Sequence, residues 1–212
     1  MRFHDRADAG RQLAARLTRY AQRDDVVVLA LPRGGVPVAF EVARALGAPL
    51  DVFVVRKLGV PGHPELAMGA IASGGVRVVS DDVVEQLGIP TAALEQTTAR
   101  ERAELERRER LYRGARGLPS LDGRTVILVD DGLATGATME AAIRAVRQLQ
   151  PTRVIVAVPV GAAETCRRLA AIADEVVCGS TPEPFQAVGL WYQEFDQTSD
   201  AEVIELLQKG RA

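Results

Sequence analysis

One stretch constrains this chain more than any other: VILVDDGLATGAT, from Val126 to Thr138. Val126 to Val129 is an unbroken run of β-branched and aliphatic residues, which suits a parallel strand buried on both faces. Asp130 and Asp131 follow at once, so both carboxylates leave the strand at its carboxyl end, where open α/β sheets place their ligands. A loop of small residues comes next, Ala134, Thr135, Gly136, Ala137 and Thr138, and runs into a helix-like segment, Met139 to Leu149. Such a loop leaves backbone N–H groups bare and, together with the positive end of the helix dipole, aims them at one point that suits a phosphate. Carboxylates repel phosphate, so a ligand that satisfies both must offer hydroxyls or a metal to the acids. A ribose 5-phosphate does this: Asp130 and Asp131 would accept from its 2′ and 3′ hydroxyls, and Thr135 to Thr138 would hold its phosphate. A plainer reading of the same residues is a turn and an N-cap ahead of an ordinary helix.

Around this motif, strands alternate with helices without a repeat of fixed period, which predicts an α/β fold with a parallel central sheet flanked by helices. Asp5 to Tyr20 reads as a helix with Asp5 as N-cap and Leu13, Ala14 and Leu17 on one face. Val26 to Leu31 is the first buried strand. It runs through Pro32 into Arg33, Gly34 and Gly35, and then into a helix, Val36 to Leu46, closed by Gly47. A strand feeding a glycine pair that opens a helix is a second anion cradle, because glycine permits close backbone approach; alone it is also an ordinary βα turn. Leu50 to Val55 is the second strand. Arg56 and Lys57 follow, then LGVPGHPELAMGA, whose glycines and prolines look too broken for regular structure and too long for a tight turn. Ala67 to Ser73 and Val76 to Ser80 flank Gly74-Gly75 as a hairpin. A short helical segment, Asp82 to Leu87, precedes the long charged helix Thr91 to Arg113, with Leu94, Leu105 and Tyr112 as a narrow apolar stripe and Glu104–Arg108, Glu106–Arg110 and Glu109–Arg113 as i,i+4 pairs. Such a helix is a solvated face or a dimer element. Past the motif, Arg153 to Val160 is a strand, Ala162 to Ala173 a helix and Val176 to Cys178 a short strand. From Gly179 the sequence GSTPEPFQAVGLWYQEF gathers Phe185, Trp191, Tyr192 and Phe195.

At 212 residues the chain reads as one domain, 1–212, with a core over about 22–178, a terminal cap over about 179–200 and the charged helix over 91–113. A net charge of −2, with arginines interleaved among glutamates, gives no electrostatic footprint for nucleic acid or an anionic membrane. The longest apolar runs fall far short of the ~20 residues that span a bilayer. MRFHDRADAG has no apolar signal region, which makes a cytoplasmic protein the default. Cys166 and Cys178 form no metal or CxxC spacing and read as reduced, buried small residues. His63 has no partner at ligand spacing and reads as a mobile loop residue. Lysine occurs only at Lys57 and Lys209, which singles out Lys57 beside the broken segment.

Four apolar residues, two acids and a Thr-Gly loop resemble the signature of the type I phosphoribosyltransferases. The resemblance covers roughly Val26 to Phe195 and implies that family's fold. It implies phosphoribosyl pyrophosphate with Mg²⁺ as one substrate, the ion being held mainly by substrate and water rather than by a protein cage. It implies transfer of the phosphoribosyl group to a nitrogen acceptor, a nucleobase or similar ring, with pyrophosphate released. Asp130, Asp131 and Ala134 to Thr138 would then bind the ribose phosphate, and Arg33-Gly34-Gly35 the pyrophosphate. The segment after Arg56 and Lys57 would be a lid, those two residues and Asp131 would act on the reaction, and a closed lid would leave Glu65 near substrate. The aromatic segment resembles the C-terminal hood of the 6-oxopurine enzymes, with Phe185 stacking on the base. Two departures weigh against hypoxanthine or guanine: Ala134 stands where those enzymes carry an acid, and the lysine they use shortly before the hood is missing, with none between Lys57 and Lys209. The partners implied are small molecules, and a homodimer follows by family analogy. A second class stays open, a non-catalytic nucleotide sensor on the same fold.

Overall fold

Strand residues of this chain are apolar on both sides, and they build a sheet covered on both faces. The computed structural model describes residues 2–210, except for the side chains of Pro64 and Glu65, so Glu65's expected approach to substrate lies outside the described residues. The chain opens with α1 (Arg6–Ala14), where the Asp5 carboxylate accepts from the Asp8 N–H across 2.6 Å as the N-cap. The helix stops earlier than the periodicity suggests. A single 3₁₀ turn, Thr18–Tyr20, redirects the chain so that the Tyr20 ring is buried and its hydroxyl reaches Glu175.

Next come β1 (Val26–Ala30), α2 (Gly35–Leu46) and β2 (Leu50–Val52). Gly47 ends α2 with φ +63°, the left-handed conformation of a helix C-terminus. The second strand leaves the sheet after Val52, short of the expected Val55. From there the chain forms an antiparallel ribbon of β3 (Val55–Val60), β4 (His63–Ala72) and β5 (Val76–Val79). The stretch expected to be irregular is therefore a hairpin, with His63 opening its second strand. Its glycines and prolines are absorbed at a turn with Gly62 at φ +79° and at register shifts around Gly59. Burial of Leu58, Val60 and Met68 outweighs the weak strand propensity of that segment. The ribbon is followed by α3 (Asp81–Gln86) and α4 (Thr91–Arg113), the latter with the expected bounds.

The motif strand is β6 (Thr125–Val129). After it come α5 (Ala137–Arg147), β7 (Arg153–Val160), α6 (Ala163–Leu169), β8 (Glu175–Ser180) and α7 (Asp200–Lys209). Helix α7 has no counterpart among the sequence expectations. The parallel sheet has the order β2-β1-β6-β7-β8. Alternate residues of each strand face opposite ways: Val26, Val28 and Ala30 pack with α1, α2 and α7, while Val27 and Leu29 pack with α5. From β1 the chain steps outward to β2 and later returns to place β6 on the other side of β1. The carboxyl ends of β1 and β6, with Ala30 opposite Val129, thus sit at a topological switch point.

The charged helix is less solvated than its composition suggests. Arg113 is 4% exposed, and its guanidinium donates to Asp51 (2.9 Å), to Glu109 (2.6 Å) and to the carbonyl of Val52. Glu104–Arg108 also forms, at 2.8 Å, whereas Glu106–Arg110 is not among the ion pairs of the described residues. The segment after β8 closes on the N-terminus: Phe3 N–H donates to Trp191 O (2.8 Å) and Gln193 N–H to Phe3 O (2.9 Å). Among the described residues no helix is long and apolar enough to cross a membrane.

Candidate active site

Two loops meet at the switch point because their strands are neighbours. The β1–α2 loop carries Arg33, Gly34 and Gly35, and the β6–α5 loop carries Asp130 and Asp131. Both glycines are needed for close approach. A Cβ on Gly34 would overlap the Asp131 carboxylate, and one on Gly35 would fall 2.7 Å from Val129 O and 2.9 Å from Asp130 Cα. The acids thus press directly on the glycine loop, and Gly34 itself has an ordinary helical φ of −58°. The peptide between Pro32 and Arg33 is cis. Arg33 is one-third exposed, with its guanidinium 3.9 Å from Asp200 at the start of α7.

The two acids are half-buried and differently held. Asp130 Oδ1 accepts from the Asp131 N–H (2.9 Å). Asp131 Oδ2 accepts from Arg6 Nε at 2.8 Å, with both side chains largely covered at 12% and 16% exposure. Arg6 also donates to Asp196 O and lies 3.9 Å from the centre of the Phe195 ring. Tyr192 donates from its hydroxyl to Asp131 O (2.6 Å). Burial, followed by the neighbouring Asp131 charge, pushes the Asp130 carboxyl well above the usual carboxylate range. Burial raises Asp131 too, against the opposing pull of the Arg6 guanidinium. Burial also lifts the Tyr192 phenol, with the Asp131 charge adding to it.

Downstream, Ala134, Thr135, Ala137 and Thr138 are exposed, so the small-residue loop is open to solvent. Helix α6 fixes its peptides: Thr165 Oγ1 donates to Ala134 O (2.7 Å) and Arg168 donates to Thr135 O. A trans peptide points its N–H opposite its C=O, so the Thr135 and Gly136 amides face away from α6. Gly136 turns the chain into α5 with φ +72°, and a Cβ there would strike Thr165 Cγ2 at 2.5 Å. The helix begins at Ala137, two residues before the expected Met139, and its first amides lack intrahelical partners. An amide-lined, dipole-positive mouth lies directly after the acid pair.

The other expected residues are placed less directly. Arg56 points to α4, where it donates to Glu101 at 3.0 and 2.6 Å. Lys57, on the opposite face of β3, lines a cleft of about 220 Å³ with Ala137, Glu140 and Arg144 of α5. Among the described residues neither side chain is hydrogen-bonded to the Arg33-Gly34-Gly35 loop. Phe185 packs in an aromatic cluster with Phe3, Val188, Trp191 and Tyr192. That cluster touches the motif through Val188, whose methyl would lie 2.5 Å from a Cβ on Gly132. The buried indole Nε1 of Trp191 has no hydrogen-bond partner among the described residues. Sequence reasoning did not find Arg6, Thr165, Arg168 or the Tyr192 hydroxyl. Arg6 and Tyr192 reach the acids from the two ends of the chain, and no local pattern marks them.

The family model described as a phosphoribosyl transferase domain matches residues 2–193. The Mycobacterium tuberculosis protein Rv0571c, a candidate phosphoribosyl transferase by name, is 53% identical over 208 residues, covering 98% of this chain and 47% of that protein. The chain therefore spans about half the length of the curated relatives it matches. The crystal structure of TT1426 from Thermus thermophilus superposes with a TM-score of 0.89 at 47% identity, covering 99% of each chain. AQ2163 from Aquifex aeolicus, at 15% identity and a TM-score of 0.52 over 87% of this chain and 78% of its own, shares the fold.

Proposed function

This chain belongs to the phosphoribosyl transferase domain family, and from that premise we propose that it transfers the 5-phosphoribosyl group of phosphoribosyl pyrophosphate to a nitrogen acceptor, a nucleobase or similar flat ring, releasing pyrophosphate. The observation that carries the reading is the order of groups at the end of β6: half-buried acids against a glycine loop, then an exposed run of uncovered amides at a helix start. Asp130 and Asp131 accept from the ribose hydroxyls. The amides of Thr135 to Thr138, with the Thr135 and Thr138 hydroxyls, hold the 5-phosphate, and Ala134 leaves room at the loop's entrance. Arg33, Gly34 and Gly35 face the pyrophosphate. Phe185 offers a ring to the acceptor.

Cleavage at C1 of the ribose passes through an oxocarbenium-like state, so the protein's contribution is positioning and stabilisation of the departing charge. Two acids whose carboxyls are raised by burial, that of Asp130 further by the Asp131 charge, form a site that gains from a cation, which fits Mg²⁺ carried in by the substrate. When bound, Mg²⁺ neutralises part of the pyrophosphate charge. Lys57 and Arg56 assist the leaving group once the β3–β4 hairpin bends toward the glycine loop, a movement that requires Arg56 to release Glu101. The assignment of a cytoplasmic, homodimeric enzyme is part of the same proposal.

A second reading is favoured by one observation. Arg56 is committed to Glu101 and Arg6 to Asp131, as suits a non-catalytic sensor that binds the sugar phosphate without turning it over. Pyrophosphate release, measured with Mg²⁺ against a panel of nucleobases, separates the two. Release with at least one base supports transfer. Silence across the panel with ligand binding retained supports the sensor.

A further inference from the structure

The two cysteines, separate in sequence, are brought together beneath the phosphate loop. Cys166 lies on α6 and Cys178 on the edge strand β8, and both are half-buried. Gly161, at the end of β7, makes the space between them. A Cβ there would stand 3.0 Å from Cys166 Sγ, 3.4 Å from Cys178 Sγ and 3.1 Å from Leu133 Cβ. Gly161 is bridged to Leu133, and Ala162 N–H donates to Leu133 O (2.9 Å), so the sulfurs sit directly behind the loop that runs from the acids to α5. Cys178 Sγ donates to Ser180 O (3.2 Å).

We propose that Cys166 and Cys178 form a reversible intramolecular disulfide that loosens the Ala134–Thr138 loop, making this pair a thiol-oxidation site that governs phosphate binding. The disulfide stands on geometry alone; its effect on ligand rests on the function proposed above. The neighbouring Cys178 thiol draws Cys166 below the ordinary thiol range, and the nearby Cys166 sulfur, together with burial, pushes Cys178 above it. Cys166 is thus the attacking group and Cys178 the resolving one. With hydrogen peroxide as oxidant, the Cys166 thiolate attacks a peroxide oxygen, the O–O bond breaks, and the sulfenic acid forms as hydroxide leaves and takes up a proton as water. Cys178 sulfur then attacks the Cys166 sulfur; the S–O bond breaks, and the hydroxyl leaves with the Cys178 proton as a second water. Two electrons pass from the thiols to the peroxide, and a thiol reductant returns them.

The mechanical consequence follows from the neighbouring residue. Thr165 precedes Cys166 and holds Ala134 O, while Arg168 on the same helix holds Thr135 O. Closing the sulfurs to the bonded separation of about 2.05 Å draws the first turn of α6 toward β8. The Thr165 and Arg168 contacts must then yield, and the amides they orient lose their common direction. A transient disulfide of this kind suits a compartment whose thiols are otherwise reduced.

The test uses the full chain. After peroxide treatment, thiol titration and intact mass are expected to show two thiols lost and the mass of two hydrogens removed, on a monomeric polypeptide, with dithiothreitol restoring both. Cys178→Ser is expected to stop at a dimedone-trappable sulfenic acid on Cys166, and Cys166→Ser to leave Cys178 unreactive. Affinity for ribose 5-phosphate is expected to fall about tenfold on oxidation in the wild-type chain and to stay unchanged in Cys178→Ser. Thiols that remain titratable, a link between chains, or equal oxidation of the two single variants overturns the disulfide. A disulfide that forms with unchanged ribose 5-phosphate affinity overturns the coupling. Failure of the reduced chain to bind ribose 5-phosphate refutes the proposed function and leaves the mass result standing.

Discussion

Arg6 and Asp131, 125 residues apart, form one unit: Nε donates to Oδ2 across 2.8 Å, and the same guanidinium lies on the Phe195 ring. The pair places a cation at the edge of the acid site and pulls the Asp131 carboxyl down against the larger upward push of burial. Removing the guanidinium leaves two crowded acids, and both then keep a proton to higher pH. Arg6→Ala is accordingly expected to weaken ribose 5-phosphate binding about tenfold, the scale of one charge-assisted hydrogen bond. The deficit narrows as pH rises, and Arg6→Lys recovers part of it. Calorimetry across pH checks this. Tighter binding by Arg6→Ala at every pH would instead make Arg6 a competitor for the sugar.

Asp130 predicts a gain in stability at the expense of function. Its carboxyl is raised in the folded chain, so the fold binds more protons than the unfolded chain between the ordinary aspartate pKa of about 3.9 and the raised one. Stability therefore falls as pH climbs through that window. Asp130→Asn removes the desolvated charge and is expected to raise the melting temperature of the ligand-free chain by a few degrees near neutral pH, since about 1 kcal/mol moves a chain of this size by roughly 2–4 °C. The gain disappears below the ordinary aspartate range. Melting curves across pH decide it, and a lower melting temperature at neutral pH contradicts the burial argument.

The two glycines of the β1–α2 loop separate site from scaffold. A methyl on Gly34 meets a side-chain carboxylate, Asp131, that can swing aside, whereas one on Gly35 meets the backbone of Val129 and Asp130. Gly34→Ala is expected to keep the fold and lose ligand binding. Gly35→Ala is expected to lower stability by about 1–3 kcal/mol, as overpacking does. Urea titration beside ligand titration distinguishes them, and equal effects on both properties from the two variants would contradict the packing described.

Much of this architecture was legible from strand composition. Val26 to Leu31 and Val126 to Val129 are apolar without alternation, and both are buried on both faces of a parallel sheet. The acids and the small-residue loop stood out as a candidate site by their order alone. What stayed hidden depends on distant partners. The β3–β4 hairpin is made by cross-strand bonds and the burial of Leu58 and Met68, against the local signal of Pro61 and Gly62. The Arg56–Glu101 pair was hidden because nothing near Arg56 in sequence reveals that Glu101 lies within reach. Arg113 sits in an exposed-looking stretch of α4 and is buried because Asp51 and Val52 O meet it from β2.

The link from α6 to the Ala134–Thr138 loop gives a further expectation. Thr165→Val removes the hydroxyl that holds Ala134 O while keeping the shape that packs on Gly136. Ribose 5-phosphate affinity is expected to fall about three- to tenfold, in line with one neutral hydrogen bond of about 1 kcal/mol, with little change in melting temperature. A Thr165→Ser variant that binds like the parent completes the check. Loss of binding in Thr165→Ser would place the cause in packing instead.

The grip on the sugar by paired acids is tested most directly by titrating phosphoribosyl pyrophosphate with Mg²⁺ into the Asp130→Asn, Asp131→Asn double variant in a calorimeter, with circular dichroism to verify the fold. Asparagine keeps the shape and removes both charges, so binding heat is expected to vanish while the spectrum stays unchanged. Parent-like affinity in a folded double variant would contradict the account.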